Sequence, residues 1–213
     1  MGNDKAAVLL CSGGLDSTTL AFWLEEQNVS FVPLFINYGQ HCAKTELNTA
    51  QTVLPAAVRE DLQVIDISDI YRCSSSRLIS EANLWLDPVV DEDLYLPYRN
   101  TVFLSIGSAY AQSRGIRALY AGFINSNHAK EINCSAEFFG QLSALLTAYG
   151  SVEVRIPFRE MSKQQVAELA LTLKVPLGST FSCQVSSEVP CGVCPNCVER
   201  LTALHALQER YAE

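Results

Sequence analysis

The sequence predicts an α/β protein, a doubly wound and mainly parallel sheet of about five strands with a cysteine-rich helical extension at its carboxyl end. Three observations predict it. An apolar run at residues 6–10 stops at Ser12-Gly13-Gly14 and passes directly into a helical pattern. Strand and helix patterns then alternate with short joints, which favours parallel strands joined by right-handed crossovers. Four of the eight cysteines, Cys183, Cys191, Cys194 and Cys197, fall close together near the end of the chain.

Each element has a local reason. Residues 5–10 are apolar enough for a strand buried on both faces. Residues 16–27 follow as a helix, with Leu15, Thr19, Phe22, Trp23 and Glu26 spaced by three and four. Residues 31–36 form the second strand, ended by Asn37-Tyr38-Gly39, and 64–67 the third. A helix is expected over 46–60, divided or kinked by Pro55. Residues 68–97 break the pattern and are expected as an excursion from the sheet, a lid or a mobile loop. Within it, Asp91, Glu92 and Asp93 read as a solvated face. A helix over 101–114, a strand over 117–122, a helix over 136–149 and a strand over 152–156 follow. Ser162 caps a helix running to 174, and Gln165 completes the capping box. The last helix is expected over 198–211. Residues 1–178 are read as the α/β domain and 179–213 as the extension.

Composition bounds the function. A net charge of −8 and the lack of a clustered basic stretch argue against a broad grip on nucleic acid. No apolar run approaches the ~20 residues of a membrane span. The start of the chain does not read as a signal peptide, and Ala6 stands where myristoylation needs Ser or Thr. A cytoplasmic protein is therefore expected, with its thiols reduced. A homodimer is the expected assembly for an enzyme of this size.

The turn after the first strand has the physics of a phosphate site. Gly13 and Gly14 allow a tight turn with exposed N–H groups, Ser12, Ser17 and Thr18 add hydroxyls, and the next helix points its positive end at the turn. The spacing is neither a Walker A loop nor a dinucleotide fingerprint. Asp16 could hold Mg²⁺ directly or through water, or cap its helix. The four clustered thiolates suit structural zinc by default, with an iron–sulfur cluster as the rival.

Ser12-Gly13-Gly14-Leu15-Asp16-Ser17 resembles the PP-loop of the ATP pyrophosphatases, adenine nucleotide alpha hydrolase-like proteins that transfer AMP to an acceptor. Three blocks in order narrow the resemblance to the 7-cyano-7-deazaguanine synthases. They are the PP-loop with Tyr38-Gly39-Gln40-His41, the segment Pro97-Tyr98-Arg99-Asn100 through Ser105, and the four cysteines followed by Arg200. The resemblance implies ATP with Mg²⁺, structural zinc, a deazapurine carboxylic acid and ammonia as partners. It implies no stable nucleic-acid binding. It also implies ATP-dependent formation of the nitrile through adenylated intermediates.

The resemblance implies nucleotide contacts at Leu10, Ser12, Gly13, Gly14, Leu15, Asp16, Ser17, Thr18, His41, Asn100 and Gly122. The catalytic set it implies is Ser12, Asp16, Ser17, Arg99 and Lys163. Arg99 offers a fork suited to phosphate or carboxylate, against the plainer reading of a surface ion pair. His41 reads as a phosphate ligand or as a packed histidine. Lys163 sits in the first turn of a helix, where the dipole does not favour a cation, and reads as functional or as a surface lysine.

Departures from the family gather at the acceptor half. Asn127 and Asn133 stand where the family carries aspartates, Ser135 where it carries arginine, and Gln184 where it carries tyrosine. Acceptor contacts are expected near Arg99, Asn125, Asn127, Asn133 and Glu137, with Glu131 and Glu137 able to restore a lost carboxylate. The alternative is a divergent relative that couples an adenylated deazapurine acid to another amine, such as one on a partner protein in an anti-phage system. Further readings are a PP-loop enzyme of tRNA thiolation, disfavoured by the charge, and a non-catalytic zinc-bound scaffold.

Overall fold

The computed structural model describes residues 5–81, 83, 89–124, 135–186 and 188–211. Its sheet has five strands, β1 (Ala7–Leu10), β2 (Phe31–Asn37), β3 (Gln63–Asp66), β4 (Ala118–Tyr120) and β5 (Glu153–Arg155). Their order is β3-β2-β1-β4-β5, and every pairing is parallel.

The central strand explains the layers. Side chains alternate across a strand. Ala7 and Leu9 of β1 pack with Leu20, Ala21 and Leu24 of α1 (Leu15–Glu26) and Val166 of α6 (Lys163–Thr172). Val8 points the other way, into a core with Leu104 and Ala111 of α4 (Arg99–Ser113) and Phe139 and Leu142 of α5 (Ala136–Tyr149). An apolar strand with no polar face is thus the natural centre of a sheet covered on both sides. At the edge, β3 carries exposed Gln63, Val64 and Asp66.

Two expectations change. The helix expected over 46–60 is α2 (Ala43–Val53), and a short 3-10 turn covers Arg59–Asp61. Pro55 drives Leu54 into extended backbone (φ −60°, ψ 149°), because proline disfavours the helical region for the residue before it. The segment expected as a loose excursion holds a one-turn helix, α3 (Ser68–Tyr71), and a 3-10 turn over Asp91–Leu94. Its Tyr71, Leu78, Leu94 and Leu96 are buried with Ile36, Tyr38, Phe181 and the clustered cysteines. These four apolar side chains anchor the segment under the extension, while Asp69, Ile70, Arg72, Glu92 and Tyr95 around them stay exposed.

The carboxyl helix α7 (Pro195–Tyr211) turns Ala203 and Leu207 onto Leu15, Ala167 and Ala170, with Leu204 packed beside them, while Leu201 faces outward. The Ser162 capping box forms as expected, the Ser162 hydroxyl accepting from the Gln165 N–H at 3.3 Å and Gln165 Oε1 accepting from the Ser162 N–H at 2.8 Å. Among the described residues, no helix is long and apolar enough to cross a membrane.

Candidate functional site

The strand order reverses between β1 and β4, and ligands in open α/β sheets bind at the carboxyl ends beside such a reversal. A cavity of about 280 Å³ lies there. The turn from β1 to α1 forms one wall. Gly13 has φ +74°, and a Cβ there would stand 2.7 Å from the Ala50 nitrogen and 2.8 Å from the Glu46 carbonyl oxygen. No larger residue fits the loop against α2 in this conformation. At Gly122, just past β4, a Cβ would stand 3.1 Å from the Ser17 nitrogen, so the glycine lets that strand end reach the start of α1.

Hydroxyls line the turn. Ser12 Oγ lies 3.3 Å from Ser17 Oγ and accepts from the Gly14 N–H at 3.3 Å. The Ser12 N–H donates to Ser17 Oγ at 3.2 Å. Gly14 is the N-cap of α1 and supplies no side-chain cap, which leaves the first-turn N–H groups facing the cavity end of the helix. These are donors arranged for an anion.

Asp16 is in that first turn but does not cap it. Its Oδ2 accepts from Lys163 Nζ at 2.6 Å. Lys163 also meets Glu199 Oε2 at 3.5 Å, and its side chain is only 11% exposed. The plainer reading of Lys163 as a surface residue is therefore corrected: α6 aims it into the site, where two carboxylates offset the dipole and the desolvation. Burial works against its charge, yet Asp16 and Glu199 outweigh burial and hold its pKa above the ordinary lysine value. Burial likewise pushes the Asp16 carboxyl up, and Lys163 opposes it. Asp16 Oδ1 is buried with no hydrogen-bond partner. A carboxylate oxygen left open beside phosphate donors fits a Mg²⁺ ligand.

Arg99 and Asn100 from the start of α4 also line the cavity, with Phe103 one turn on. Tyr38, Gln40 and Glu46 come from the end of β2 and from α2. Glu46 Oε2 accepts from Gln40 Nε2 at 2.8 Å. Sequence reasoning missed Glu46, because an acidic residue in a helix's first turn reads as a complement to the dipole. It missed Glu199 for a plainer reason, since nothing local links it to Lys163. Cys11 lines the wall too, and burial pushes its thiol up to about 12, so it stands there as a neutral group.

Leu10, Ser12, Gly14, Leu15, Asp16, Ser17, Asn100 and Gly122 all line the cavity, as do Arg99 and Lys163. Gly13, Thr18 and His41 do not. Thr18 is buried under the turn, its N–H donating to the Gly14 carbonyl at 3.0 Å. His41 Nε2–H donates to the Gln184 carbonyl at 3.1 Å and so fastens the extension to the second strand's end. Glu137 is exposed and accepts from Gln141 Nε2 at 3.0 Å, away from the cavity. Asn125, Asn127, Glu131 and Asn133 lie outside the described residues.

The extension closes the cavity. The Phe181 N–H donates to the Gly13 carbonyl at 3.1 Å. Gln184 and Asn196 line the wall, joined by a 2.6 Å bond from Asn196 Nδ2 to Gln184 Oε1. Arg200 Nη2 donates to the Leu177 carbonyl at 2.6 Å and Nη1 to Thr180. Cys183, Cys191, Cys194 and Cys197 bring their sulfurs within 4.8 Å of one another. A tetrahedral zinc with Zn–S of about 2.3 Å needs sulfurs about 3.8 Å apart, so a small contraction fits the ion. Backbone N–H groups of Ser186 and Cys191 approach Cys183 Sγ at 3.3 and 3.5 Å, and that of Cys194 approaches Cys191 Sγ at 3.3 Å. Such donors stabilise thiolate charge. The cluster is capable of zinc-like coordination.

The Ser-Gly-Gly turn at the reversal point of a doubly wound sheet places the chain among the PP-loop ATP pyrophosphatases, as the family match shows. The chain belongs to the QueC family, whose model, queuosine biosynthesis protein QueC, matches residues 6–208. It is similar to the 7-cyano-7-deazaguanine synthase of Nautilia profundicola, 30% identical over 207 residues with 92% of each chain covered. It is also similar to 7-cyano-7-deazaguanine synthase 1 of Desulfitobacterium hafniense, 32% identical over 207 residues, covering 96% of this chain and 93% of that one. Among solved structures it resembles a "predicted subunit of tRNA methyltransferase" from Methanocaldococcus jannaschii, with TM-score 0.50 and 18% identity over 78% of this chain and 73% of the other. That likeness bears on the fold alone. The chain is thus an ATP-dependent enzyme of the PP-loop class, with the activation and ligation chemistry of that class.

Proposed function

We propose that the protein adenylates 7-carboxy-7-deazaguanine and, with ammonia, converts it to 7-cyano-7-deazaguanine. The observation that carries this reading is the Asp16–Lys163 pair at 2.6 Å beside the PP-loop, in one cavity with Arg99. The relatives' names support the acceptor.

In this reading Ser12, Ser17 and the first N–H groups of α1 hold the triphosphate. Lys163 neutralises charge that shifts toward the departing pyrophosphate, which is worth most in a site shielded from water. Asp16, with its Oδ1 unpartnered, would hold Mg²⁺, which would add Lewis-acid charge neutralisation to the site. Arg99 orients the acid, its fork matching a planar carboxylate. The carboxylate oxygen attacks the α-phosphorus and pyrophosphate leaves. Ammonia then displaces AMP to give the amide. A second adenylation on the amide oxygen, followed by loss of AMP and the nitrogen-bound protons, leaves the nitrile. Cys183, Cys191, Cys194 and Cys197 would hold zinc, which would fix the wall formed by Gln184 and Asn196.

A second reading keeps the activation and changes the amine, so that the adenylated acid is coupled to a partner protein. Gln184 supports it, standing on the cavity wall where the family carries tyrosine. The test is incubation with ATP, Mg²⁺, ammonium and the deazaguanine acid, with pyrophosphate and product mass followed together. Nitrile is the expected product. Pyrophosphate release that stops at amide, or yields no small product, favours the coupling reading. No ATP turnover by folded, zinc-loaded protein rejects both.

A further inference from the structure

Glu46 has a position that the phosphate site does not use. Among the described residues lining the cavity there are two carboxylates, Asp16 and Glu46. Asp16 is tied to the Lys163 ammonium at 2.6 Å. Glu46 is held by neutral donors, the Gln40 amide at 2.8 Å and the Cys42 thiol. Its own backbone carbonyl packs against Gly13 of the Ser-Gly-Gly turn, and its residue is buried. A carboxylate with neutral partners at a cavity wall is free to exchange a proton in a way that an ion-paired one is not.

The chemistry proposed above needs such a group. When an amine nitrogen attacks the acyl carbon, the C–N bond forms and the C–O bond to AMP breaks. The electron pair leaves with AMP, and the nitrogen must lose a proton to become an amide. We propose that Glu46 is the general base of the amine-capture step, accepting that proton on its carboxylate as AMP departs. This inference rests on the proposed adenylation.

The surroundings suit the role. Burial pushes the Glu46 carboxyl up to about 7, opposed by the Gln40 and Cys42 hydrogen bonds and by the Arg99 charge. The titratable and charged groups facing it are Arg99 from α4, Tyr38 from the end of β2, and Cys42 beside α2. Burial raises both Tyr38 and Cys42, so neither competes for the proton near neutral pH. A base with a midpoint close to the working pH is also a strong enough acceptor to be useful.

The experiment separates the two half-reactions in Glu46→Gln, which keeps the size of the side chain. The first is exchange of labelled pyrophosphate into ATP, driven by the deazaguanine acid without amine. The second is single-turnover capture of the preformed adenylate by ammonia. Exchange is expected to stay within about threefold of wild type, while capture falls by about a hundredfold or more. The wild-type capture rate rises with pH through about 7, and this inflection is expected to vanish in the variant. Glu46→Asp, which restores a carboxylate, is expected to recover part of the rate and the inflection. Equal loss of exchange and capture, or an inflection that persists in Glu46→Gln, overturns the assignment. Wild-type protein that shows no exchange overturns the proposed adenylation itself and the inference with it, a result told apart because it appears without any substitution.

Discussion

Asp16 sits in the first turn of α1, where any carboxylate complements the helix dipole, yet its partner is Lys163, 147 residues away. The buried pair sits beside the phosphate donors, and its proposed role gives the first prediction. Replacing Ser12 or Asp16 by Ala is expected to slow pyrophosphate release by about 30- to 1000-fold, the equivalent of roughly 2–4 kcal/mol of transition-state stabilisation. The fold is expected to survive, as checked by circular dichroism. Turnover near wild type would remove the residue from the chemistry. Glu46 gives a prediction of another kind. Its carboxyl lies at about 7 in the folded protein against 4.5 for the free group. The folded state therefore binds this proton more tightly than the unfolded state. The stability it contributes is full below about 4.5 and is lost as pH rises through about 7. At roughly 1.4 kcal/mol per pH unit, the swing is about 3 kcal/mol. Glu46→Gln removes the swing and is expected to raise stability relative to wild type at pH 8 but not at pH 4.5. Urea titrations at both pH values read this directly, and a variant equally destabilised at both would refute it.

The elements around the site are held by a few cross-links. α2 approaches the Ser-Gly-Gly turn so closely that Gly13→Ala is expected to destabilise the fold by at least about 1 kcal/mol, through a strained φ and a clash with helix backbone. The extension is bound to the same turn through Phe181 and to α6 through Glu199 and Lys163. Removing zinc with a chelator is expected to loosen α7 first and then to weaken ATP binding, because the Gln184–Asn196 wall and the Glu199 contact leave with it. Hydrogen exchange over residues 177–208 should rise before that of β1. Simultaneous loosening of both, or unchanged ATP affinity after metal removal, would contradict this coupling.

At the scale of the molecule, the net charge of −8 leaves nucleotide recognition to local donors and to a cation arriving with the nucleotide. Mg²⁺ with ATP is expected to stabilise the fold by about 2.7 kcal/mol at a hundredfold excess over Kd, which a thermal melt detects as a rise in Tm. A melt unchanged by the nucleotide would argue against the site. The assembly is expected to be a homodimer, and outward Val193, Val198 and Leu201 leave apolar surface around the start of α7. Sedimentation showing monomer alone at working concentration would sink that expectation.

The sequence by itself determined the order of strands and helices, because apolar strands, a capping box and glycine turns act through neighbours a few residues apart. It also determined the phosphate turn and the four-cysteine set, where function needs fixed residue types at short spacing. The helix length at Pro55 was harder to read, since the effect of proline on Leu54 competes with good helix formers on either side. Only the tertiary structure decided that Lys163 meets Asp16 and Glu199, that His41 ties down the extension outside the cavity, and that Glu46 lines the same cavity as Asp16. It also decided that Tyr71, Leu78, Leu94 and Leu96 anchor the segment 68–97 in the core under the extension. These facts depend on which elements the sheet order brings together. Burial, desolvation and charge pairing arise between residues far apart in the chain, and no local pattern records them.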